Sequence, residues 1–197
     1  MDKYDKIYEK VKIAKERTLV LIKPDGVERR LVGEIISRFE RAGLRIVGLG
    51  IVVPSKKLID KHYPKDRRWI ENLGYNLIKT AEEAKMKIDL KKDYGVKNVY
   101  ELGLKIRQWL IDFMSSGPVV KIALEGPQAI MIVRKLVGKT IPFLAEPGTI
   151  RGDFSIDNPI LANLEKRPVK NLIHASGNKE EAERELKLWF KKSELIN

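Results

Sequence analysis

Apolar residues along the chain fall into alternating strand-like and helix-like stretches. Thr18-Leu19-Val20-Leu21-Ile22 is a short, β-branched apolar run that predicts a buried strand, ended by a turn at Pro24-Asp25-Gly26. From Leu31, the positions Val32, Ile35, Ile36, Phe39 and Ala42 follow helical spacing, and Gly43 supplies a stop. Leu44 to Val53 predicts a second strand, and Ser55 is placed to N-cap a short helix ending near Tyr63. Residues 4–15 set charges between Tyr4, Ile7, Tyr8, Val11 and Ile13, which predicts a short amphipathic N-terminal helix.

The texture changes over residues 64 to about 110, where charge is dense and no strand-like run occurs. One helix is expected at 67–86 and another at 99–114, with a polar joint containing Gly95 and Asn98. A strand returns at Val119–Leu124 and a helix at 127–137, with Ala129, Ile132, Val133 and Leu136 facing inward. Residues 138–170 hold most of the remaining Gly and Pro and read as one long loop, a feature that is usually functional in a compact domain. Asn171–His174 predicts a fourth strand. Asn178 and Glu181 form a capping pair for a last helix, 179–190, that buries Ala182, Leu186, Trp189 and Phe190. The order defines an α+β class: a ferredoxin-like βαββαβ sandwich on a four-stranded antiparallel sheet, with extra N- and C-terminal helices and a helical insertion. One domain over residues 1–197 is expected, carrying the insertion at about 64–110 and the long loop at about 138–170.

Composition narrows the chemistry. The 197 residues include no cysteine and only two histidines, His62 and His174, which excludes disulfides, thiolate metal sites and a centre built from several histidines. No apolar run approaches the ~20 residues needed to span a bilayer, and the N-terminus lacks a signal-like apolar stretch. No membrane association and a cytoplasmic location are therefore expected. With 39 Lys and Arg against 27 Asp and Glu, the net charge is +12. That charge would attract nucleotides or nucleic acid. The bases are not blocked, however: the last 19 residues hold five bases and five acids. A solvated lysine-rich surface explains the charge as well as a nucleic-acid groove does, and nucleic acid is kept as a secondary partner.

Gly138-Lys139-Thr140 resembles the end of a P-loop, but the first glycine would have to stand at Val133, inside an apolar helix. The remaining constellation centres on His174, at the end of the last strand and before a helix N-terminus. Glu185, on the border of that helix's apolar face, is placed to hold one imidazole nitrogen and leave the other free as a nucleophile. Thr149, Arg151 and Asn171 lie close in sequence and suit phosphate or hydroxyl groups. A phosphate-binding site containing one histidine follows.

Seven blocks, in order, resemble the nucleoside diphosphate kinase family: Glu16-Arg17-Thr18 running into Ile22-Lys23-Pro24-Asp25-Gly26-Val27; Val32-Gly33-Glu34-Ile35-Ile36; His62-Tyr63; Ser116-Gly117-Pro118-Val119-Val120; Glu125-Gly126; Pro147-Gly148-Thr149-Ile150-Arg151-Gly152-Asp153-Phe154; and Asn171-Leu172-Ile173-His174-Ala175-Ser176. The resemblance implies transfer of the γ-phosphate of a nucleoside triphosphate to a nucleoside diphosphate through phosphohistidine, in a ping-pong cycle. It places His174 as nucleophile, with Glu185 and Ser176 orienting its ring. It sends Lys23 to the terminal phosphate and the sugar 3′-hydroxyl, gives Tyr63, Arg134, Thr140 and Arg151 to phosphates, and gives Asn171 to the sugar hydroxyls. Trp69 is the candidate for an aromatic base clamp, against the alternative that it packs the inserted helix; a clamp of that kind would accept any base. Mg²⁺ would arrive on the nucleotide's phosphates with no protein metal ligand, and a homo-oligomer, hexamer or tetramer, is implied. A catalytically silent nucleotide- or nucleic-acid-binding protein on the same fold is the alternative.

Three departures from the family pattern stand out. The chain is longer between Tyr63 and Ser116, where the base clamp belongs. About ten residues are added between Asp153 and Asn171, which leaves the clamp's second wall unassigned. Gly177-Asn178 stands where most members carry an acid and a serine.

Overall fold

A computed structural model describes residues 15–83 and 85–196. The helix expected at 4–15 lies outside the described residues except for Lys15, which opens the first strand. The four strands are β1 (Lys15–Ile22), β2 (Arg45–Val52), β3 (Val119–Pro127) and β4 (Ile173–Ala175). They lie in the order β2-β3-β1-β4, and every neighbouring pair is antiparallel. This is the expected ferredoxin-like arrangement.

Alternation along β1 separates the two faces of the sheet. Val20 and Ile22 join Phe39, Ile122, Val133 and Ile173 on one face, under α2 (Val32–Arg41) and α7 (Ala129–Val137). Leu19 and Leu21 join Ile59, Met114, Leu186 and Trp189 on the other, under α3 (Lys56–His62), α6 (Val99–Met114) and α10 (Lys179–Trp189). Because both faces are covered, β1 reads as an unbroken apolar run. Ser55 caps α3 through its side chain, as its position predicts, and Asn98, expected only in a polar joint, caps α6 in the same way.

Several boundaries differ from the expected ones. β1 and β3 are longer because Arg17 pairs across the sheet with Glu125, its Nε 2.7 Å from Oε2, which keeps charged residues in the ladder. The turn at Pro24-Asp25-Gly26 is a short helix, α1 (Pro24–Glu28), with proline in its first position. Its Asp25 accepts from the Leu172 amide at 3.0 Å, and Leu172 adopts φ +68°. That anchor starts β4 two residues later than the apolar pattern suggests. The long 138–170 stretch is not one loop: it contains a 3₁₀ turn at Pro142–Leu144, α8 (Ile150–Phe154) and α9 (Pro159–Leu164).

The insertion consists of α4 (Arg67–Glu83), the unanticipated α5 (Leu90–Tyr94) and most of α6. It has its own apolar cluster of Leu77, Tyr94, Val96 and Leu102. α4 and α6 cross at Gly74 and Gly103, and a Cβ on Gly103 would come within 1.9 Å of the Ile70 carbonyl oxygen. Gly103→Ala is expected to lower stability by roughly 2–3 kcal/mol, because backbone has to move. Gly33→Ala is the control, since a Cβ there meets nothing within 4 Å. Denaturant midpoints of the two variants measure the difference. Equal midpoints would show that the crossing tolerates a side chain. Among the described residues no helix is long and apolar enough to cross a membrane.

Candidate active site

His174 occupies the middle of β4, directly across from Leu21, and so shares Leu21's face with α3 and α10. There its Nε2 meets Glu185 Oε2 at 2.9 Å. Ser176 donates to the same carboxylate oxygen at 2.7 Å, and Arg184 donates to the other at 3.3 Å. The carboxylate acts as acceptor for Nε2–H, so Nδ1 is the nitrogen left with its lone pair free. Nδ1 has no hydrogen-bond partner among the described residues, and His174 lines a cavity of about 750 Å³. That volume lies within the range of small-molecule sites, about 300–1,000 Å³. Burial alone would raise the Glu185 pKa, but the bond from His174, the charges of the two imidazoles and the Ser176 hydroxyl outweigh it and bring the group down to about 2. Glu185 therefore stays ionised throughout the neutral range.

The second histidine belongs to the same cluster. His62 meets the His174 ring edge-on, with centroids 4.6 Å apart, and its Nδ1 accepts from Trp189 Nε1 at 3.2 Å. Burial and the neighbouring His174 push its imidazole down to about 3, so it is neutral near pH 7. His62, His174 and Glu185 are the one group of potential metal ligands among the described residues. Two nitrogens and a carboxylate already engaged with protons do not make the all-oxygen, largely hydrated environment that Mg²⁺ requires.

Cations collect on the other side of the cavity. Lys23 follows β1 and donates to Asn171 Oδ1 at 2.7 Å, while Asn171 Nδ2 donates to the Thr140 carbonyl at 2.8 Å. Burial, and secondarily the Arg151 charge, lower the Lys23 pKa to about 8 against the opposing pull of Asp25. Arg151 donates to the carbonyls of Asn171, Gly138 and Ile173 at 3.2, 3.0 and 2.6 Å. Burial and then Arg134 lower its pKa to about 10. Arg134 and Thr140 are exposed on the same cavity wall, and Tyr63 also lines it, its phenol pushed up by burial.

The structure thus gathers His174, Lys23, Tyr63, Arg134, Thr140, Arg151 and Asn171 around one cavity, with Glu185 and Ser176 behind the imidazole. Trp69 does not line the cavity; it stacks on Tyr63 at 6.0 Å between ring centroids, nearly parallel at 27°. Thr149 is spent on the N-cap of α8, accepting from Gly152 N, and donates to the Glu146 carbonyl. Sequence reasoning missed His62, Trp109 and Asn163. His62 reaches the site only through contact between distant elements. Asn163 had a local signal in Asn158-Pro159, a cap and proline at the start of α9 that the long-loop reading passed over.

A split βαβ sandwich that presents a histidine to a cationic cavity large enough for a nucleotide has the features of a nucleotide phosphotransferase. The profile of one such family, nucleoside diphosphate kinase, matches residues 16–69 and 67–195. The chain belongs to the nucleoside diphosphate kinase family. It is 49% identical over 181 residues to the nucleoside diphosphate kinase of Pyrobaculum aerophilum, covering 92% of this chain and 98% of that one. It is 38% identical to that of Methanocaldococcus jannaschii, covering 93% and 99%. The crystal structure of an NDP kinase from Pyrobaculum aerophilum superimposes with a TM-score of 0.89 at 46% identity over 93% of this chain and all of that one. A transition-state mimic of the Borrelia burgdorferi enzyme, with bound vanadate and ADP, superimposes at 0.73 and 37% identity, covering 93% and 91%.

Proposed function

We propose that His174 carries the phosphoryl group in a two-step exchange between nucleoside triphosphates and diphosphates. The observation that supports this most directly is the Glu185 bond to Nε2, which leaves Nδ1 free on a ring that lines the cavity. In the first step the Nδ1 lone pair forms a bond to the γ-phosphorus as the bond to the bridging β–γ oxygen breaks, and the diphosphate leaves. The Nε2 proton stays on the ring, and Glu185 balances the positive charge that develops there. In the second step a terminal oxygen of another nucleoside diphosphate attacks the phosphorus and the N–P bond breaks, restoring neutral imidazole. Lys23, Arg134 and Arg151 stabilise negative charge on the migrating group, and positioning supplies most of the acceleration in such a transfer.

Mg²⁺ fits this reading as an ion carried by the phosphates, whose charge it would help neutralise. The nitrogen-rich cluster behind His174 offers it no suitable seat. A vanadate- and ADP-bound relative of 37% identity supports a nucleotide diphosphate lying in the same cavity. A homo-oligomer belongs to the same reading. β2 is a sheet edge, and Leu49 and Ile51 on it and Val53 just past its end are 54, 68 and 71% exposed, a surface that a second copy would cover. Both insertions belong to the same catalytic unit, and a cytoplasmic setting suits it.

The test is intact mass after incubation with Mg²⁺ and ATP. A gain of one acid-labile phosphate, discharged by GDP, is expected; no gain with nucleotide bound would leave a silent binding protein. Lys23 supplies a second check. Its cation is present below pH about 8 and lost as pH rises through that value. The free enzyme's kcat/KM is therefore expected to decline on the alkaline side with that midpoint. Lys23→Arg keeps its charge and should lack this limb, whatever its absolute rate. An unchanged alkaline limb in the variant would remove Lys23 as its source.

A further inference from the structure

Leu172, between Asn171 and the start of β4, is buried and adopts φ +68°, a conformation that a branched side chain enters only at a cost. Ile173 N donates to Asn171 O across it at 2.8 Å, which closes a γ-turn of the rare positive-φ kind. Both polar groups of Leu172 are held from the far side of the site. Its carbonyl accepts from Lys23 N at 2.8 Å, and its amide donates to Asp25 Oδ2 at 3.0 Å. α1 lies so close that a Cβ on Gly26 would come within 3.0 Å of the same carbonyl oxygen. The turn fixes the residues on either side of it. Asn171 before it accepts from Lys23 Nζ, and Ile173 after it opens the strand that carries His174. Such a turn persists only where its surroundings over-determine it. The side chain that does so here is Asp25.

The bond to Leu172 does not by itself call for a carboxylate. One acceptor oxygen is enough, and an asparagine of the same shape would supply it. Asp25 is 4% exposed, and its Oδ1 is shielded from solvent with no hydrogen-bond partner among the described residues. A buried negative charge with so few hydrogen bonds is costly unless cations lie near it. Lys23 and Arg151 are those cations, and both are buried. Burial and then a neighbouring cation lower the pKa of each, Arg151 acting on Lys23 and Arg134 on Arg151, and Asp25 opposes the lowering at both. The charge of Lys23 also reaches His62 on α3, while Arg134, Tyr63 and His174 line the same cavity. Within this group Asp25 supplies the negative charge.

We propose that Asp25 is a positioning residue of the phosphoryl-transfer site: its carboxylate holds the Leu172 turn that aims Asn171 and the His174 strand, and its charge balances Lys23 and Arg151. Each departing nucleotide takes its negative charge with it, and Asp25 keeps the buried cations in place until the next one arrives. The proposal rests on the phosphotransfer reading above.

The experiment compares Asp25→Asn, which keeps an acceptor for Leu172 N and loses the charge, with Asp25→Ala, which loses both. Lys23 is followed in the free protein by the pH profile of its acetylation with trace acetic anhydride, read by peptide mass, because only the neutral amine reacts. Removing a negative neighbour disfavours the ammonium. The Lys23 midpoint is therefore expected below the wild-type value of about 8 in both variants, and the alkaline limb of kcat/KM should move with it. Well below that limb, kcat of Asp25→Ala should lie under that of Asp25→Asn by on the order of 10–100-fold, since it alone releases the turn. A merely structural anchor would lower the unfolding midpoint and leave the Lys23 profile where it was. An unmoved Lys23 midpoint in Asp25→Asn, or equal kcat in the two variants, would overturn the proposal. Should Asp25→Ala fail to fold, the Lys23 midpoint in Asp25→Asn decides. Should the wild type form no phosphoenzyme, the phosphotransfer reading fails separately, and the same midpoint still decides on Asp25.

Discussion

His174→Ala is expected to gain no phosphate from Mg²⁺ and ATP and to lose turnover by on the order of 10⁴-fold or more, the scale on which removal of a covalent nucleophile acts. The loss should be chemical rather than structural. The β4 backbone pairs with β1 independently of the imidazole, and His174 borders the cavity, so its truncation enlarges that space more than it opens a sealed void. Glu185 keeps its bonds from Ser176 and Arg184, which limits the cost of the lost histidine partner. ADP binding should persist, because Lys23, Asn171, Thr140 and Arg151 are organised by one another and not by the imidazole. A variant with the wild-type unfolding midpoint, intact ADP binding and no phosphoenzyme would fix the nucleophile at this position. Phosphate appearing on the variant would assign it elsewhere, with His62 the next candidate, although burial and its bond from Trp189 oppose such a role.

What the sequence made legible was mostly local in origin. The β1 run, the Ser55 and Asn178 caps and the helical period of α2 each follow from residues a few positions apart. The His174–Glu185 pair was within reach because both residues sit at definable places in adjacent elements, the last strand and a helix border, although the structure puts His174 in the middle of that strand and not at its end. Lengths of β1 and β3 were not, since the Arg17–Glu125 pair joins residues 108 positions apart and turns apparent strand breakers into ladder members. The start of β4 was displaced by Asp25 through a bond that spans 147 positions. His62 had no local sign of its function, for its placement depends on α3 packing beside β4 and α10. Trp69 shows the converse limit. An aromatic in the right segment suggested a clamp, but the direction of its ring depends on the turn of α4, which sets it against Tyr63. The two insertions were visible as departures in length; that they meet over the cavity is a tertiary fact.

Arg151→Lys is the second large effect, and its interest is that it should separate two functions held in one side chain. The guanidinium has five N–H donors, and three of them reach the carbonyls of Gly138, Asn171 and Ile173. Those carbonyls belong to the C-terminus of α7 and to the entry of β4, so Arg151 fastens α8 to both segments that carry the site. A lysine head is compact and cannot span them. Asn171 O keeps its bond from Ile173 N at 2.8 Å, so with a lysine serving one of the other two carbonyls, one is left unsatisfied and stability should fall by about 1–3 kcal/mol. At about 2–4 °C per kcal/mol for a chain of this size, the unfolding midpoint should drop by roughly 2–12 °C. The positive charge survives, so a purely electrostatic role would be largely preserved. The bidentate fork and the placement of Asn171 and Ile173, the residue before His174, would be lost, and kcat should fall by on the order of 10²–10³-fold even well below the new midpoint. Calorimetry and single-turnover phosphorylation at low temperature test the two arms together. A lowered midpoint with normal kinetics would make Arg151 a strut alone, whereas slow kinetics at an unchanged midpoint would make it a phosphate ligand whose bonds to the backbone are dispensable. The expected loss of both would show that the bonds which hold the loop are the same ones that aim the remaining two N–H groups at the migrating phosphate.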